Sequence, residues 1–202
     1  TSYLNRVAVF HTSMDVFRFL ACIEFPQGEA MTPTEEALGR LKGLLGLRGK
    51  DLEKMAFLPL GARLRTFCGE QVHAEFANLN KTSYCPACLL EDGKSDSSSG
   101  GVRVGRVHWQ IESVRTCEEH EIGLVRRKNT HRSEKFQLMS DVAPDDDTLA
   151  SMVKGAPKQK VSDLQTYIVD RLAGETGPAW LDGQPIDLAA RACEMLGVIL
   201  TV

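Results

Sequence analysis

The chain has 202 residues, 43% of them hydrophobic and 25% charged, with a formal charge of −3, the make-up of an ordinary globular protein of one medium domain or two small ones. No apolar run approaches the roughly 18 residues that a membrane span needs and no signal peptide is visible, so a cytoplasmic protein without a membrane partner is expected. Residues 102–135 carry eight basic and five acidic side chains whereas 141–202 carry five and ten, which makes the whole chain a poor candidate for tight non-specific nucleic-acid binding and leaves only the middle able to manage it. Thr1 in place of Met, and an apolar run leading straight to Thr201-Val202, suggest a piece of a longer protein.

Residues 2 to 11 place Leu4, Val7 and Ala8 on one face and predict a helix. Ser13 reads as the N-cap of a second helix carrying Val16, Phe17, Phe19 and Leu20, with Phe10, His11 and the Phe17/Phe19 pair assigned to the core. Gly28 begins a break. Thr32-Pro33-Thr34-Glu35 reads as a capping box with proline at the first helical position. Leu38, Leu41, Leu44 and Leu45 follow at helical spacing, and Gly46 stands where a left-handed cap is needed. A short helix from about 49 to 57 precedes Pro59.

Helix, glycine turn and short helix outline a helix-turn-helix in residues 1–80, whose second helix would offer Arg48, Lys50 and Lys54 to phosphates or base edges. An ordinary helical corner with a solvated face, where Asp51 and Glu53 interleave, stays open. Residues 63 to 76 have no clear period, and His73 without a companion at ligand spacing reads as a satisfied or exposed histidine.

Residues 81–135 hold the most informative pattern. Cys85-x2-Cys88 and Cys117-x2-His120 are two hooks of soft ligands, the pattern of a closed tetrahedral zinc site with no open position for water. One structural zinc ion on Cys85, Cys88, Cys117 and His120 is expected, in a ribbon-like or treble-clef-like finger. Buried thiols, a disulfide, or Cys117 as a nucleophile are the other readings of these residues. Residues 91–101 predict a mobile Gly/Ser/Asp loop, and Val102, Val104, Val107 and Trp109 a mostly extended return, with Trp109 as the finger's miniature core. Cys22, Cys68 and Cys193 lie outside the site without framework spacing.

Beyond the finger, Arg126, Arg127, Lys128, His131, Arg132 and Lys135 form the densest basic run, either a clamp for nucleic-acid backbone or an acidic partner, or a solvated loop. Asp145–Asp147 reads as a helix N-terminal or loop feature. In 136–202, Ser162 with Gln165 predicts a capped helix ended by Gly174, and Asp187 a helix closed by Gly197, which parallels residues 40–47 and suggests the first half of a second helix-turn-helix. The fold class expected is therefore mainly α with a small zinc-finger subdomain, in three consecutive parts: 1–80, 81–135 and 136–202. No glycine-rich phosphate loop, paired carboxylates or open metal site points to an enzyme.

The succession Tyr84-Cys85-Pro86-Ala87-Cys88-Leu89-Leu90-Glu91-Asp92, Trp109, and Cys117-x2-His120 followed by Gly123-Leu124-Val125 resembles the TniQ family, which includes the TnsD target selectors of bacterial transposons. Residues 2–8 (SYLNRVA) are similar to the family's opening Ser-Trp-Leu-x-Arg-x-Ala helix, and Asp170–Gly174 with Trp180–Gly183 resembles a later segment of some members. Many members carry another Cys-x2-Cys soon after the histidine; residues 124–135 contain no cysteine, which speaks against a second zinc. The resemblance implies an N-terminal helix-turn-helix and a non-enzymatic adaptor in DNA transposition. It would select or recognise the target and work with an AAA+ ATPase regulator, with DNA and, in some members, with an RNA-guided effector complex (CRISPR-associated transposons). A homodimer is one of the assemblies the sequence permits. The rival function is a stand-alone sequence-specific DNA-binding protein.

Overall fold

The computed structural model describes residues 2–47, 51–54, 56–77, 79–94, 103–131, 134 and 137–200. About half the chain is helical, and the described residues include two small antiparallel sheets. The chain forms two compact units that each combine segments distant in sequence: residues 1–19 with 78–162, and residues 20–77 with 163–202. The boundary falls inside helix α2.

In the first unit, α1 (Ser2–Thr12) buries Leu4 and Ala8 as its period requires. Phe10 corrects the sequence reading: it is 73% exposed, and His11 is exposed beside it. Ser13 corrects it too. Its φ of 53° makes it the left-handed terminator of α1, and the cap of α2 (Val16–Cys22) is Asp15, whose Oδ1 accepts from the N–H of Phe17 (2.9 Å) and Arg18 (3.1 Å). Strand β4 (Lys81–Tyr84) pairs antiparallel with β5 (Val125–Lys128), Tyr84 opposite Val125 and Lys81 opposite Lys128. Between them run α6 (Pro86–Lys94) and a 3-10 turn at Val107–Gln110, so the expected extended return is replaced by a tight turn. Helices α7 (Met139–Val142) and α8 (Asp146–Gly155) follow, and α8 packs on α6. Asp145 caps α8 by accepting from Thr148 N–H at 2.8 Å. Leu89, Trp109, Ile111, Val114 and Leu149 fill the core.

The second unit opens with α3 (Gln27–Met31), which runs through Gly28 where a break was expected. In α4 (Glu35–Leu44) the N-cap is Thr34, two residues beyond Thr32, because its hydroxyl accepts from Ala37 N–H at 3.1 Å. Leu38 and Leu41 are buried. Gly46, at φ 64°, ends the helix as expected, with Leu47 N–H reaching back to Lys42 O at 3.0 Å. Helix α5 (Asp51–Lys54) is short, and Ala56 and Phe57 lie outside it.

Three strands then occupy the stretch the sequence left unassigned: β1 (Leu58–Pro59), β2 (Leu64–Phe67) and β3 (Glu70–His73), in that order in the sheet. Cys68 (φ 52°) and Gly69 (φ 84°) form the two-residue turn between β2 and β3, both left-handed, as a hairpin of matching twist demands. Helices α9 (Asp163–Ala173), α10 (Ala179–Asp182) and α11 (Ile186–Leu200) complete the unit. α11 continues through Gly197 to Leu200 rather than closing there, so the parallel with residues 40–47 fails at that glycine.

Arg171 of α9 is the unit's clasp. Its fork donates to both oxygens of Glu70 (2.8 and 3.0 Å), and its remaining N–H groups reach Tyr167 Oη (2.7 Å) and the carbonyls of Leu181 (3.1 Å) and Gln184 (2.9 Å). One arginine thus ties α10 and the turn after it to β3. His73 is held as well, donating through its backbone N–H (2.9 Å) and lying with ring Nδ1 2.5 Å from Asp187 Oδ2.

Candidate metal centre

The first hook is made by a strand running into a helix. β4 delivers Cys85, whose carbonyl accepts from Leu89 N–H at 3.1 Å, and Pro86 occupies the first helical position, where it needs no donor. Cys85 and Cys88 thus face each other across the first turn of α6. The second hook is a tight loop closed by Cys117 N–H to Ile122 O and Glu121 N–H to Cys117 O (each 2.9 Å), with Glu121 left-handed at φ 52°. Residues 158 and 159 brace it from outside: Lys158 Nζ donates to His120 O (2.8 Å) and Gln159 N–H to Glu121 O (2.7 Å).

The two hooks bring four donor atoms to within 4.8 Å of one another. Cys88 Sγ lies 3.5 Å from Cys117 Sγ, and His120 Nδ1 lies 3.4, 3.6 and 3.8 Å from the sulfurs of Cys88, Cys117 and Cys85. A tetrahedral zinc with Zn–S of about 2.3 Å and Zn–N of about 2.0–2.1 Å has edges of about 3.8 Å between sulfurs and about 3.6 Å from sulfur to nitrogen. The donor set therefore fits one tetrahedral metal ion in size as well as in chemistry. All three cysteines are buried and none is in a disulfide.

The three thiols and the imidazole share their protons unevenly. Cys117 is held far below the ordinary thiol range, chiefly because it accepts from the thiols of Cys85 and Cys88. The same hydrogen bonds to Cys117 push Cys88 and Cys85 upward. Protons shared among three sulfurs are those a divalent cation releases when it binds thiolates. Burial disfavours a charged His120, yet the Glu91 carboxylate and Cys117 outweigh it and raise its pKa. Glu91 Oε1 lies 2.9 Å from His120 Nε2, leaving Nδ1 to face the sulfurs.

Glu91 and Asp92 were not foreseen as functional. Their signal was their distance from Cys88, three and four residues along one helix, which puts them on its face. Asp92 receives both arms of the Arg106 guanidinium (2.7 and 3.2 Å) while that guanidinium lies over Trp109, 4.9 Å from the ring centroid. Trp109 is 2% exposed and packs edge-on against His108, the small core expected of it.

The basic run divides. Arg126 points inward, donating to Glu112 and to the carbonyls of Ile111 and Val114 (2.7 Å each), and Arg127 donates to Glu134 Oε2 at 2.7 Å. Lys128 and Lys54 are exposed, whereas Arg48, Lys50 and Arg132 lie outside the described residues.

A protein about half helical, with some sheet and a Cys3His cluster that could hold one metal ion, is the class these features define. Residues 1–124, more than half of the chain and inclusive of all four donors, match the TniQ family model, and the chain belongs to the TniQ family. That is a family of non-catalytic transposition adaptors, with a transposition-associated role in target selection or as adaptor within transposition complexes. No curated protein and no solved structure matches the chain. Among the described residues no helix is long and apolar enough to cross a membrane.

Proposed function

We propose that this chain is a zinc-stabilised transposition adaptor that recognises a target, or a complex bound to it, and recruits an AAA+ ATPase regulator. The observation that carries the reading is the four-donor cluster inside the family-matched segment. Cys85, Cys88 and Cys117 Sγ with His120 Nδ1 would hold the ion. Bound there it supplies a rigid crosslink rather than chemistry, since four protein donors leave no site for water. The residues around it orient the crosslink: Glu91 fixes the His120 ring, Lys158 and Gln159 hold the second hook, and the Arg106–Asp92 pair ties the returning chain to α6. Capture of the purified ATPase regulator of the same transposon on the immobilised, metal-replete chain tests this, and capture must fall when a chelator has removed the metal.

The second reading, a stand-alone DNA-binding protein, draws on the helix-turn-helix outline expected from the sequence of residues 35–57, with Lys54 exposed. Steep loss of duplex affinity with rising salt, without any ATPase partner, would favour it.

A further inference from the structure

Of the four donor residues the three cysteines are buried, and only His120 is partly exposed. The imidazole side of the cluster is therefore its solvent side, and two exposed carboxylates stand there: the ligand atoms of Glu91, Glu119 and His120 lie within 4.8 Å of one another. Glu91 is committed to the His120 ring. Glu119 has a different reach. It belongs to the second hook, one residue before the histidine, yet its Oε2 accepts from Cys88 Sγ, on the first hook, at 3.2 Å.

That contact joins the outside of the centre to its inside, because Glu119 is exposed and Cys88 is 1% exposed. Zinc binds a thiolate at about 2.3 Å and a carboxylate oxygen at about 2.0–2.2 Å, so an oxygen and a sulfur separated by this distance can hold one ion together. The cation whose field reaches both residues, Arg106, spends its donors on Asp92 and on the Val104 carbonyl and leaves the Glu119 oxygens open to a metal. Once four protein donors surround a zinc ion its shell is complete, which gives Glu119 no place in the finished centre. A hard donor beside a buried thiolate, at the one side that meets solvent, suits the passage of the ion.

We propose that Glu119 is the transfer ligand of the centre, handing zinc between solvent and Cys88 in both directions. On entry its carboxylate oxygen takes the place of one water on the ion, and that bond breaks as the bond to the Cys88 sulfur forms, the thiol proton leaving to solvent. On exit the same steps run backwards. This role rests on the metal reading of the four donors, and it separates two neighbouring carboxylates by function: Glu91 orients a ligand, whereas Glu119 sets how fast the ion comes and goes. A group that lowers the barrier between two states speeds both directions equally and leaves their equilibrium unchanged.

The test compares the zinc-loaded parent with Glu119→Gln and with Glu118→Gln, which removes the same charge from the exposed neighbour. Zinc loss to a chromogenic chelator is followed by rapid mixing, where the rate no longer depends on chelator concentration, and affinity is measured by competition. Glu119→Gln should slow zinc loss about 10-fold while its affinity stays within about twofold of the parent's, so that uptake, the product of the two, slows equally. Glu118→Gln should match the parent in both. Faster loss with weaker binding in Glu119→Gln, or no zinc bound by it, overturns the role by making the residue part of the scaffold. Weaker binding with an unchanged rate of loss overturns it also, by reducing Glu119 to long-range attraction of cations. Either result leaves the metal reading standing, whereas a parent chain that takes up no zinc overturns both.

Discussion

Glu91 Oε1 lies 2.9 Å from Nε2 of His120, on the side of the imidazole away from the three sulfurs. Accepting the Nε2 proton selects the tautomer whose Nδ1 lone pair faces the donor cluster, and holds the ring in that orientation. Glu91→Gln keeps the size and weakens the acceptor. Metal affinity, measured by competition with a chromogenic chelator, should fall about 10- to 100-fold. An affinity equal to the parent's would mean that the ring is oriented by its packing alone.

Removing the metal should disorder the hooks before the rest. Structural zinc contributes apparent free energy on the order of 10 kcal/mol in small zinc domains. The chain has two tryptophans, Trp109 buried and Trp180 at 64% exposure, so a Trp180→Phe variant reports on Trp109 alone. Its emission should shift to the red on chelation and return on adding zinc. Cys88→Ser should show the shifted spectrum from the start.

Much of this centre was legible in the sequence and the rest of the fold less so. The hooks announce themselves because ligand spacing is set by chemistry that neighbouring residues cannot disguise: two donors two residues apart, twice. Gly46 was readable for a similar reason, as a left-handed position favours glycine. The β1–β3 sheet was not, since Leu64–Phe67 and Glu70–His73 are four residues each, too short for alternation to emerge, and their turn is Cys68-Gly69 rather than the usual Asn-Gly or Asp-Gly. The basic run misled for a third reason. Composition counts charges, but Arg126 and Arg127 satisfy carboxylates and carbonyls whose proximity only the fold creates.

Arg171 should matter more than its surface charge type suggests. Arg171→Ala takes its donor from the Glu70 carboxylate and the Gln184 carbonyl, while Leu181 O keeps the N–H of Gln184 at 3.0 Å. The cost should be about 2–4 kcal/mol by urea unfolding. Arg171→Lys should recover only part of it, because an ammonium cannot fork onto both Glu70 oxygens. A loss within about 0.5 kcal/mol of zero would show that the clasp is replaceable by water.

Asp187 gives the stability an acid limb. Burial raises the pKa of its carboxyl, but the backbone N–H and ring of His73 outweigh that and hold it below its ordinary value. A carboxylate whose folded pKa is depressed stabilises the fold above the unfolded value of about 3.9 and loses that contribution as pH falls through the folded pKa. The urea midpoint of the parent should exceed that of Asp187→Asn at pH 6, and the gap should close as pH drops below about 4. A gap that stays constant from pH 6 to pH 2 would place the contribution outside this titration.

The central claim is a single ion held by three thiolates and an imidazole. Elemental analysis of the purified, dialysed chain together with zinc-edge X-ray absorption tests it most directly. The account predicts one zinc per chain with three sulfurs at about 2.3 Å and one nitrogen at about 2.0 Å. A metal-free chain that still unfolds in one cooperative transition, or a zinc shell with an oxygen in place of one of these donors, would contradict it.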